Sequence, residues 1–187
     1  MNDWFIRLTD YFPEREMKSR KHFEILFHDK QGIYQLEESK DSVLVYFEMS
    51  EFIFIDYILV ARNNRRSGRG SRILEQLKQK GKAIILEVEP VSHIDPDSEK
   101  RVHFYEKNGF KKMNSIGYER IHMVTNELNK MDVFCWSPVN KQEKWVYDKM
   151  TAIYEDVHTY KAKELYGCNP QPVSEVLWQK QLTYSEV

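Results

Sequence analysis

The spacing of apolar positions predicts a series of strands in the first half of the chain. Apolar residues alternate with polar ones over Gly32 to Glu37, as in a strand, and Val43 to Met49 is predicted to be its partner in a hairpin that turns at Lys40-Asp41. Continuous apolar runs from Glu51 to Val60 and from Ala83 to Val88 predict strands that are buried on both faces. These strands form the predicted centre of the fold.

Further elements are predicted around that centre. Trp4 to Leu8 and Val133 to Trp136 are strand candidates, and a helix capped by Thr9 and Asp10 is predicted to run to about Phe27. Two more helices are predicted, from Ser71 to Lys80 and from Asp95 to Asn108. The order β-α-β-β-β-α-β-α-β-β predicts an α/β fold with a mixed sheet and helices on both faces.

The spacing of apolar residues changes after Pro138. Five apolar residues recur there at spacings of three and four and predict a long amphipathic helix within residues 139–166: Val146, Met150, Ile153, Val157 and Tyr160. A short helix is predicted from Ser174 to Gln181. We therefore expect a domain over residues 1–138 and a helical extension over residues 139–187, which packs on the domain or forms a dimer interface.

Composition narrows the class of protein. The chain has 187 residues, 41% of them hydrophobic and 30% charged, with a formal net charge of −1. This charge argues against nucleic-acid binding, and no apolar run approaches the roughly 20 residues that span a bilayer. Cys135 and Cys168 match no metal or redox spacing. We expect a cytoplasmic protein without a metal, monomeric or homodimeric.

The segment from Ala61 to Arg72 has the composition of an anion site. It contains no acidic residue and five arginines: Arg62, Arg65, Arg66, Arg69 and Arg72. Gly68 and Gly70 allow a sharp turn and a close approach of the backbone to a ligand. The segment also lies between a predicted strand and a helix, whose N-terminus favours negative charge. The alternative interpretation is a solvated basic turn.

Two motifs resemble the GNAT superfamily of N-acetyltransferases. Residues Arg65 to Gly70, read as RRSGRG, resemble the R/Q-x-x-G-x-G/A loop that binds the pyrophosphate of coenzyme A in that family. Residues Phe104 to Phe110, read as FYEKNGF, resemble its L-Y-E-K-x-G-F signature. The resemblance covers about Trp4 to Trp136 and implies the acyl-CoA N-acyltransferase fold with acetyl-CoA as co-substrate.

The resemblance also implies a set of cofactor contacts. Main-chain N–H groups of Leu59, Val60 and Arg62 are expected to bind the pantetheine amides and polarise the acetyl carbonyl. Ser98 stands where many relatives carry an asparagine that helps to bind the pantetheine arm, and its hydroxyl is a possible substitute. The pyrophosphate is expected to contact the loop and the start of the helix: Arg65, Arg66, Ser67, Gly68, Arg69, Gly70 and Ser71.

The candidate catalytic residues are one tyrosine and three acids. Tyr105 stands at the motif position that the family often uses as the general acid, which protonates the departing thiolate of the cofactor. The alternative interpretation of Tyr105 is a tyrosine of the hydrophobic core. Burying the charge of Asp56 within an apolar strand costs free energy unless the carboxylate is paired or takes part in catalysis. Asp56 is therefore either the base or a member of a structural ion pair. Glu87 and Glu89 share a strand face with Ile85 and compete for the role of base.

These residues predict direct attack of a primary amine on acetyl-CoA in a ternary complex. The acceptor is expected to be a small molecule or a peptide, and the acids favour a cationic amine. The alternative is a non-catalytic module that binds coenzyme A or a protein partner with the same fold.

Overall fold

A six-stranded mixed sheet is the centre of the computed structural model, which describes residues 3–61, 68–95 and 97–180. In chain order the strands are β1 (Tyr34–Ser39), β2 (Ser42–Glu48), β3 (Phe52–Val60), β4 (Ala83–Val88), β5 (Lys111–Lys112), β6 (Ile116–Ile121), β7 (Leu128–Lys130), β8 (Asp132–Trp136) and β9 (Leu177–Gln179). The large sheet has the order β1-β2-β3-β4-β8-β5, and a small sheet has the order β7-β6-β9. Only β3 and β4 pair in parallel.

Helices cover both faces of the large sheet. They are α1 (Trp4–Thr9), α2 (Arg20–Asp29), α3 (Arg69–Lys78), α4 (Ser98–Lys107), α5 (Glu143–Ile153), α6 (Ala162–Tyr166) and α7 (Val173–Val176). A 3₁₀ turn covers Glu14–Glu16, and a π-helical turn covers Tyr154–His158. Apolar residues of α3 and α4 pack on one face of the sheet, and those of α1, α2 and α5 pack on the other. The α/β fold with a mixed sheet is confirmed.

The segment after Pro138 shares the core of the preceding residues. Val146, Met150, Ile153 and Val157 are all fully buried, in one cluster with residues of β2, β3 and β4. β9 also adds a strand to β6, with Leu177 opposite Tyr118. The apolar stripe is therefore covered within the chain, whereas the domain boundary at residue 138 and a dimer interface stay predictions.

Three predicted elements are wrong. Trp4–Thr9 is a helix rather than a strand, because Asp3 caps it by accepting a hydrogen bond from the N–H of Phe5 at 2.8 Å. The predicted helix from residue 9 to 27 is absent over residues 10–19, where the described backbone has only the 3₁₀ turn Glu14–Glu16, and α2 starts after the cap Ser19. Residues 177–179, expected in a helix, form β9 because the edge of β6 pairs with them.

Within the described ranges, no helix is both long and apolar enough to span a bilayer. Nor does this part of the chain contain a group of three or more His, Cys, Asp or Glu side chains that could hold a metal ion. Cys135 is a buried free thiol and Cys168 an exposed one. The cellular compartment and the absence of a metal stay predictions.

Candidate active site

A cleft opens where β3 and β4 part. The two strands pair from Phe52 opposite Ala83 to Ile55 opposite Leu86, and no further. Beyond this point β3 continues along β2 as far as Val60, while β4 continues along β8 as far as Val88. Residues 56–60 therefore form one wall of a cleft, with Leu59 and Val60 at its end, and residues 87–88 form the other.

A β-bulge at Asp56 shapes the β3 wall. Tyr46 pairs with Ile55 and Val45 pairs with Tyr57, so Asp56 is the extra residue on β3. The bulge moves Tyr57 to the sheet face that also carries Phe54, instead of the face that strict alternation would give it. The bulge thus re-aims β3 at the point where the cleft begins.

Asp56 lies in a buried ion pair. Both of its carboxylate oxygens are 2.8 Å from Nζ of Lys18, and Tyr34 donates its hydroxyl to Oδ2 at 2.5 Å. Only 3% of the Asp56 side chain and 7% of the Lys18 side chain are exposed. Burial lowers the pKa of Lys18, and the carboxylate of Asp56 opposes that shift. This geometry favours the structural interpretation of Asp56, and its role as base stays a prediction.

Glu87 is paired with a residue of the C-terminal segment. Its Oε1 lies 2.8 Å from Nε2 of His158, which the π-helical turn brings onto the sheet. Burial lowers the pKa of His158, so the imidazole is neutral and donates its Nε2–H. Burial alone would raise the pKa of Glu87, but the hydrogen bond from His158 and the charges of Arg120 and Lys18 outweigh it and lower that pKa. Glu87 is therefore an ionised, enclosed carboxylate.

Glu89 lies just beyond β4 and is held by two arginines. Arg15 donates to its Oε1 and Arg101 to its Oε2, each at 2.6 Å. Glu16, a residue that carries no recognisable motif, lies on the same arginine, since Nη2 of Arg15 is 2.6 Å from Oε1 of Glu89 and 3.8 Å from Oε1 of Glu16. Burial first, and then the hydrogen bond and charge of Glu89, raise the pKa of Glu16 to about 8. The two residues form a carboxyl pair at the end of β4.

Tyr105 occupies the opposite side of this network, on α4. Its ring lies against Phe104, Phe110 and Phe134, with centroids 5.2, 5.8 and 6.5 Å away. Its hydroxyl makes no hydrogen bond to any residue that the structure describes. Burial, then the neighbouring Tyr11, raise the pKa of Tyr105, so its phenol keeps its proton at neutral pH. This is the state that a proton donor requires.

The start of α3 has the conformation expected of a phosphate loop. Gly68 has a φ of 77° and precedes the helix, which has no side-chain cap. A Cβ on Gly70 would lie 3.0 Å from Cζ of Phe104, so α3 and α4 approach closely only because residue 70 is a glycine. Arg69 points to the β1–β2 hairpin, with Nη2 2.7 Å from the hydroxyl of Ser39. Ser71 lies in the first turn of α3.

Part of the predicted cofactor site lies outside the described residues, namely Arg62, Arg65, Arg66 and Ser67. Ser98 is described and 1% exposed. Its hydroxyl donates to the carbonyl of Asp95 at 2.6 Å and accepts from the N–H of Ser92 at 2.9 Å. These bonds hold the loop before α4, and they favour a structural role for Ser98 over a pantetheine contact.

A groove of about 400 Å³ lies beside the cleft, between the loop that follows α1 and the turn between β6 and β7. Its wall is largely apolar and includes Phe5, Phe12, Met17 and Val124. Lys18, Glu14 and His122 add polar groups. Its volume suits a small molecule or the end of a peptide.

Comparison with known proteins agrees with this architecture. The family described as "Acetyltransferase (GNAT) domain" matches residues 27–112. The chain is 42% identical over 175 residues to "Putative acetyltransferase YjbC" of Bacillus subtilis strain 168, which covers 94% of this chain and 91% of that protein. A GNAT-family structure from Bacteroides thetaiotaomicron superposes with a TM-score of 0.63 at 20% identity, covering 87% of this chain and 89% of the other.

The chain therefore belongs to the GNAT family. It is an acyltransferase of the N-acetyltransferase class.

Proposed function

We propose that the protein transfers an acetyl group from acetyl-CoA to a primary amine by direct attack in a ternary complex. The observation that carries this proposal is the cleft between β3 and β4, which has the start of α3 near one end and Tyr105 beside it. Gly70 links these parts, because a Cβ at this position would lie 3.0 Å from Phe104 and 3.8 Å from Cγ2 of Val60. The start of α3, the end of β3 and the tyrosine helix α4 thus meet at Gly70.

Coenzyme A fits this arrangement. The uncapped N-terminus of α3 offers backbone N–H groups and a positive helix dipole to the pyrophosphate. The wall formed by Leu59 and Val60 would run beside the pantetheine arm and offer its main chain to the amides. Gly70 keeps the space at this junction small, and Arg69 adds positive charge beside it.

The chemistry needs a proton donor and a proton acceptor. A cationic amine first loses one proton to solvent, because only the neutral amine has a free lone pair. Its nitrogen then attacks the thioester carbonyl, a C–N bond forms, and the C–S bond breaks. Tyr105 gives its phenolic proton to the departing sulfur, and the excess proton on nitrogen passes to a base and returns to the phenolate through solvent. Holding the amine and the thioester in line provides much of the acceleration.

The groove beside the cleft is the proposed site of the acceptor. Its apolar wall would bind the carbon skeleton of the amine, and the acids nearby, Glu14 and Glu16, favour a cationic amine. We propose a small-molecule or peptide acceptor on this basis.

The test uses the whole chain in two steps. Calorimetry with coenzyme A should show a single site, and thiol release from acetyl-CoA should rise with at least one member of a panel of amines and amine-bearing peptides. Binding of coenzyme A without turnover of any amine would favour the non-catalytic module. Absence of coenzyme A binding would overturn the proposal.

A further inference from the structure

Four residues that line one cavity beside the carboxyl pair each have a buried polar atom without a hydrogen-bond partner among the described residues. These atoms are Oε1 of Glu16, Nε2 of His22, Nε of Arg120 and Nδ1 of His158. His22 and His158 are 0% and 4% exposed. An unpaired polar atom in such a place is costly, so a ligand that pairs with all four is expected. The cavity has a volume of about 10 Å³, which is close to the room that one water molecule needs.

The hydrogen-bonding capacity of these atoms matches water. His158 donates its Nε2–H to Glu87, so its Nδ1 is an acceptor. The Tyr166 hydroxyl lies 3.0 Å from Nδ1 of His22, and when it donates there, Nε2 of His22 is a donor. The Nε of Arg120 is always a donor, and an ionised Glu16 accepts. Two donors and two acceptors are the partners that one water molecule satisfies.

The two carboxyl groups of the pair differ in the cations that surround them. Glu89 accepts a charge-assisted hydrogen bond from an arginine at each of its two oxygens. The nearest cation to Glu16 in its own turn, Arg15, approaches only to 3.8 Å. Because two adjacent carboxylates repel each other, Glu16 is the member of the pair that takes up a proton.

The cavity is in contact with the proposed acceptor groove. Three residues line both spaces: Met17, Lys18 and His122. A proton that leaves an amine in the groove therefore has a short path through one bound water to Oε1 of Glu16.

We propose that Glu16, paired with Glu89, accepts the proton that leaves the acceptor amine, and that a water molecule bound in this cavity carries it. The water first exchanges the hydrogen bond that it accepts from Nε2–H of His22 for one that it accepts from the amine. It then gives one proton to Oε1 of Glu16 and takes one from the amine nitrogen, so the water itself is unchanged. Glu16 becomes a neutral acid that is hydrogen-bonded to the carboxylate of Glu89. This inference rests on the proposed function, since the amine is the source of the proton.

The groups that face Glu16 come from several elements, and all contribute to its titration. On its own turn and the following loop lie Arg15 and Lys18, and the other titratable groups nearby are Glu89, Arg101, His22, Arg120, His122, His158 and Tyr166. Glu16 accepts protons only when ionised, and its pKa is raised to about 8. The rate should therefore rise with pH up to about pH 8.

The kinetic test compares pH profiles of kcat/KM for an amine that the wild-type chain acetylates. Glu16→Gln should lower kcat/KM at least tenfold at pH 8 and remove one of the two ionisations of the acid limb, leaving that of the amine itself. Glu89→Gln should move the limb to lower pH, because the like charge beside Glu16 is lost. Glu75→Gln, an exposed carboxyl paired with Lys78 on α3, is the control and should leave the profile unchanged. A wild-type limb in Glu16→Gln, with coenzyme A binding intact, would overturn the inference.

A second test needs no acceptor. In the free protein with ¹³C-labelled glutamate, one carboxyl carbon should titrate above pH 7, disappear in Glu16→Gln and titrate at lower pH in Glu89→Gln. If every glutamate titrates below about pH 6, the carboxyl pair is refuted whatever the amine assay gives. If the pair titrates as expected and no amine is acetylated, the proposed function is at fault and not the pair.

Discussion

The two sides of the cleft are built in different ways. The side assigned to the phosphates is made of backbone, with Gly68 in a left-handed conformation and Gly70 against Phe104 at the start of α3. The side assigned to the acceptor is made of buried and half-buried side chains from six separate segments of the chain. These are Glu16 and Lys18, Asp56, Glu87 and Glu89, Arg101, Arg120 and His158. The first side depends on conformation and the second on the balance of charge.

This difference predicts how a substitution on each side changes the stability of the protein. Lys18 and Arg120 are cations, and Asp56 and Glu87 are anions, so the enclosed part of the acceptor side is balanced when His158 is neutral. Removing one charge leaves its partner buried without compensation, which is a large penalty. On the phosphate side a substitution causes steric overlap or backbone strain, and both cost less free energy than an uncompensated buried charge.

The largest effect is expected at Tyr105, where the two sides meet. Tyr105→Phe keeps the ring and its contacts with Phe104 and Phe110 but removes the proton for the leaving sulfur. Turnover of the acetylated amine should fall by about 10²–10⁴-fold, while the affinity for coenzyme A stays unchanged. Steady-state kinetics and calorimetry measure the two quantities.

Phe104→Leu is a matched control, since it changes the neighbouring ring and spares the phenol. Turnover by Tyr105→Phe equal to that of wild type would assign the thiolate proton to a water molecule instead.

The next largest effect is on stability and lies within the acceptor side. Lys18→Met keeps a long apolar side chain but removes the ammonium group. Asp56 stays buried, and of its two described partners, Lys18 and Tyr34, only Tyr34 remains. The free energy of unfolding should fall by about 3–5 kcal/mol. Denaturant unfolding of the wild type and the variant measures this loss.

The double variant Lys18→Met/Asp56→Asn completes the cycle. It should recover part of the loss, because the uncompensated negative charge is gone while Tyr34 keeps an acceptor. If the double variant is less stable than Lys18→Met by the full cost of Asp56→Asn alone, the two residues are not coupled.

The same contrast explains what the sequence could reveal. The phosphate loop and the tyrosine helix are contiguous motifs, so Gly68, Gly70 and Tyr105 were identifiable from their spacing. β3 and β4 were predicted within a residue because buried strands are continuous apolar runs. Glu16 carries no such pattern, since it acquires its properties only when its turn packs against Glu89.

Two further residues show why the side-chain pairings on the acceptor side could not be predicted from the sequence. Lys18 falls within the predicted first helix, and it reaches Asp56 from the extended residues 17–19 between the 3₁₀ turn and α2. His158 belongs to the helical stretch in which only apolar positions carried a signal, and the π-helical turn aims it at Glu87. Long-range pairing of polar side chains leaves no periodic trace along the chain.

A smaller effect is expected at the junction of α3 and α4. In Gly70→Ala the new methyl group lies 3.0 Å from Cζ and 3.3 Å from Cε2 of Phe104, so the ring must shift. Overpacking costs about 1–3 kcal/mol, and the better helix propensity of alanine offsets up to about 1 kcal/mol. Thermal unfolding should show a net loss. Adding Phe104→Leu should relieve it, and a double variant that is no better than the sum would place the strain elsewhere.

The smallest effect separates charge from conformation at Gly68. No atom lies within 4 Å of a Cβ built there, so the cost of a side chain is the strain of a φ of 77°, which aspartate and asparagine tolerate better than most residues. Both Gly68→Asp and Gly68→Asn should therefore fold, with stabilities within about 1 kcal/mol of each other. Their affinities for coenzyme A should differ, because only aspartate places a negative charge beside the pyrophosphate.

Calorimetry should give a loss of at least tenfold, about 1.4 kcal/mol, for Gly68→Asp and a smaller loss for Gly68→Asn. Raising the salt concentration should narrow the gap between the two variants, since ions screen charges in an exposed loop. Equal affinities at low salt would mean that no phosphate lies near residue 68. The backbone of α3 would then lose its assigned ligand, while the charge balance on the acceptor side would be untouched.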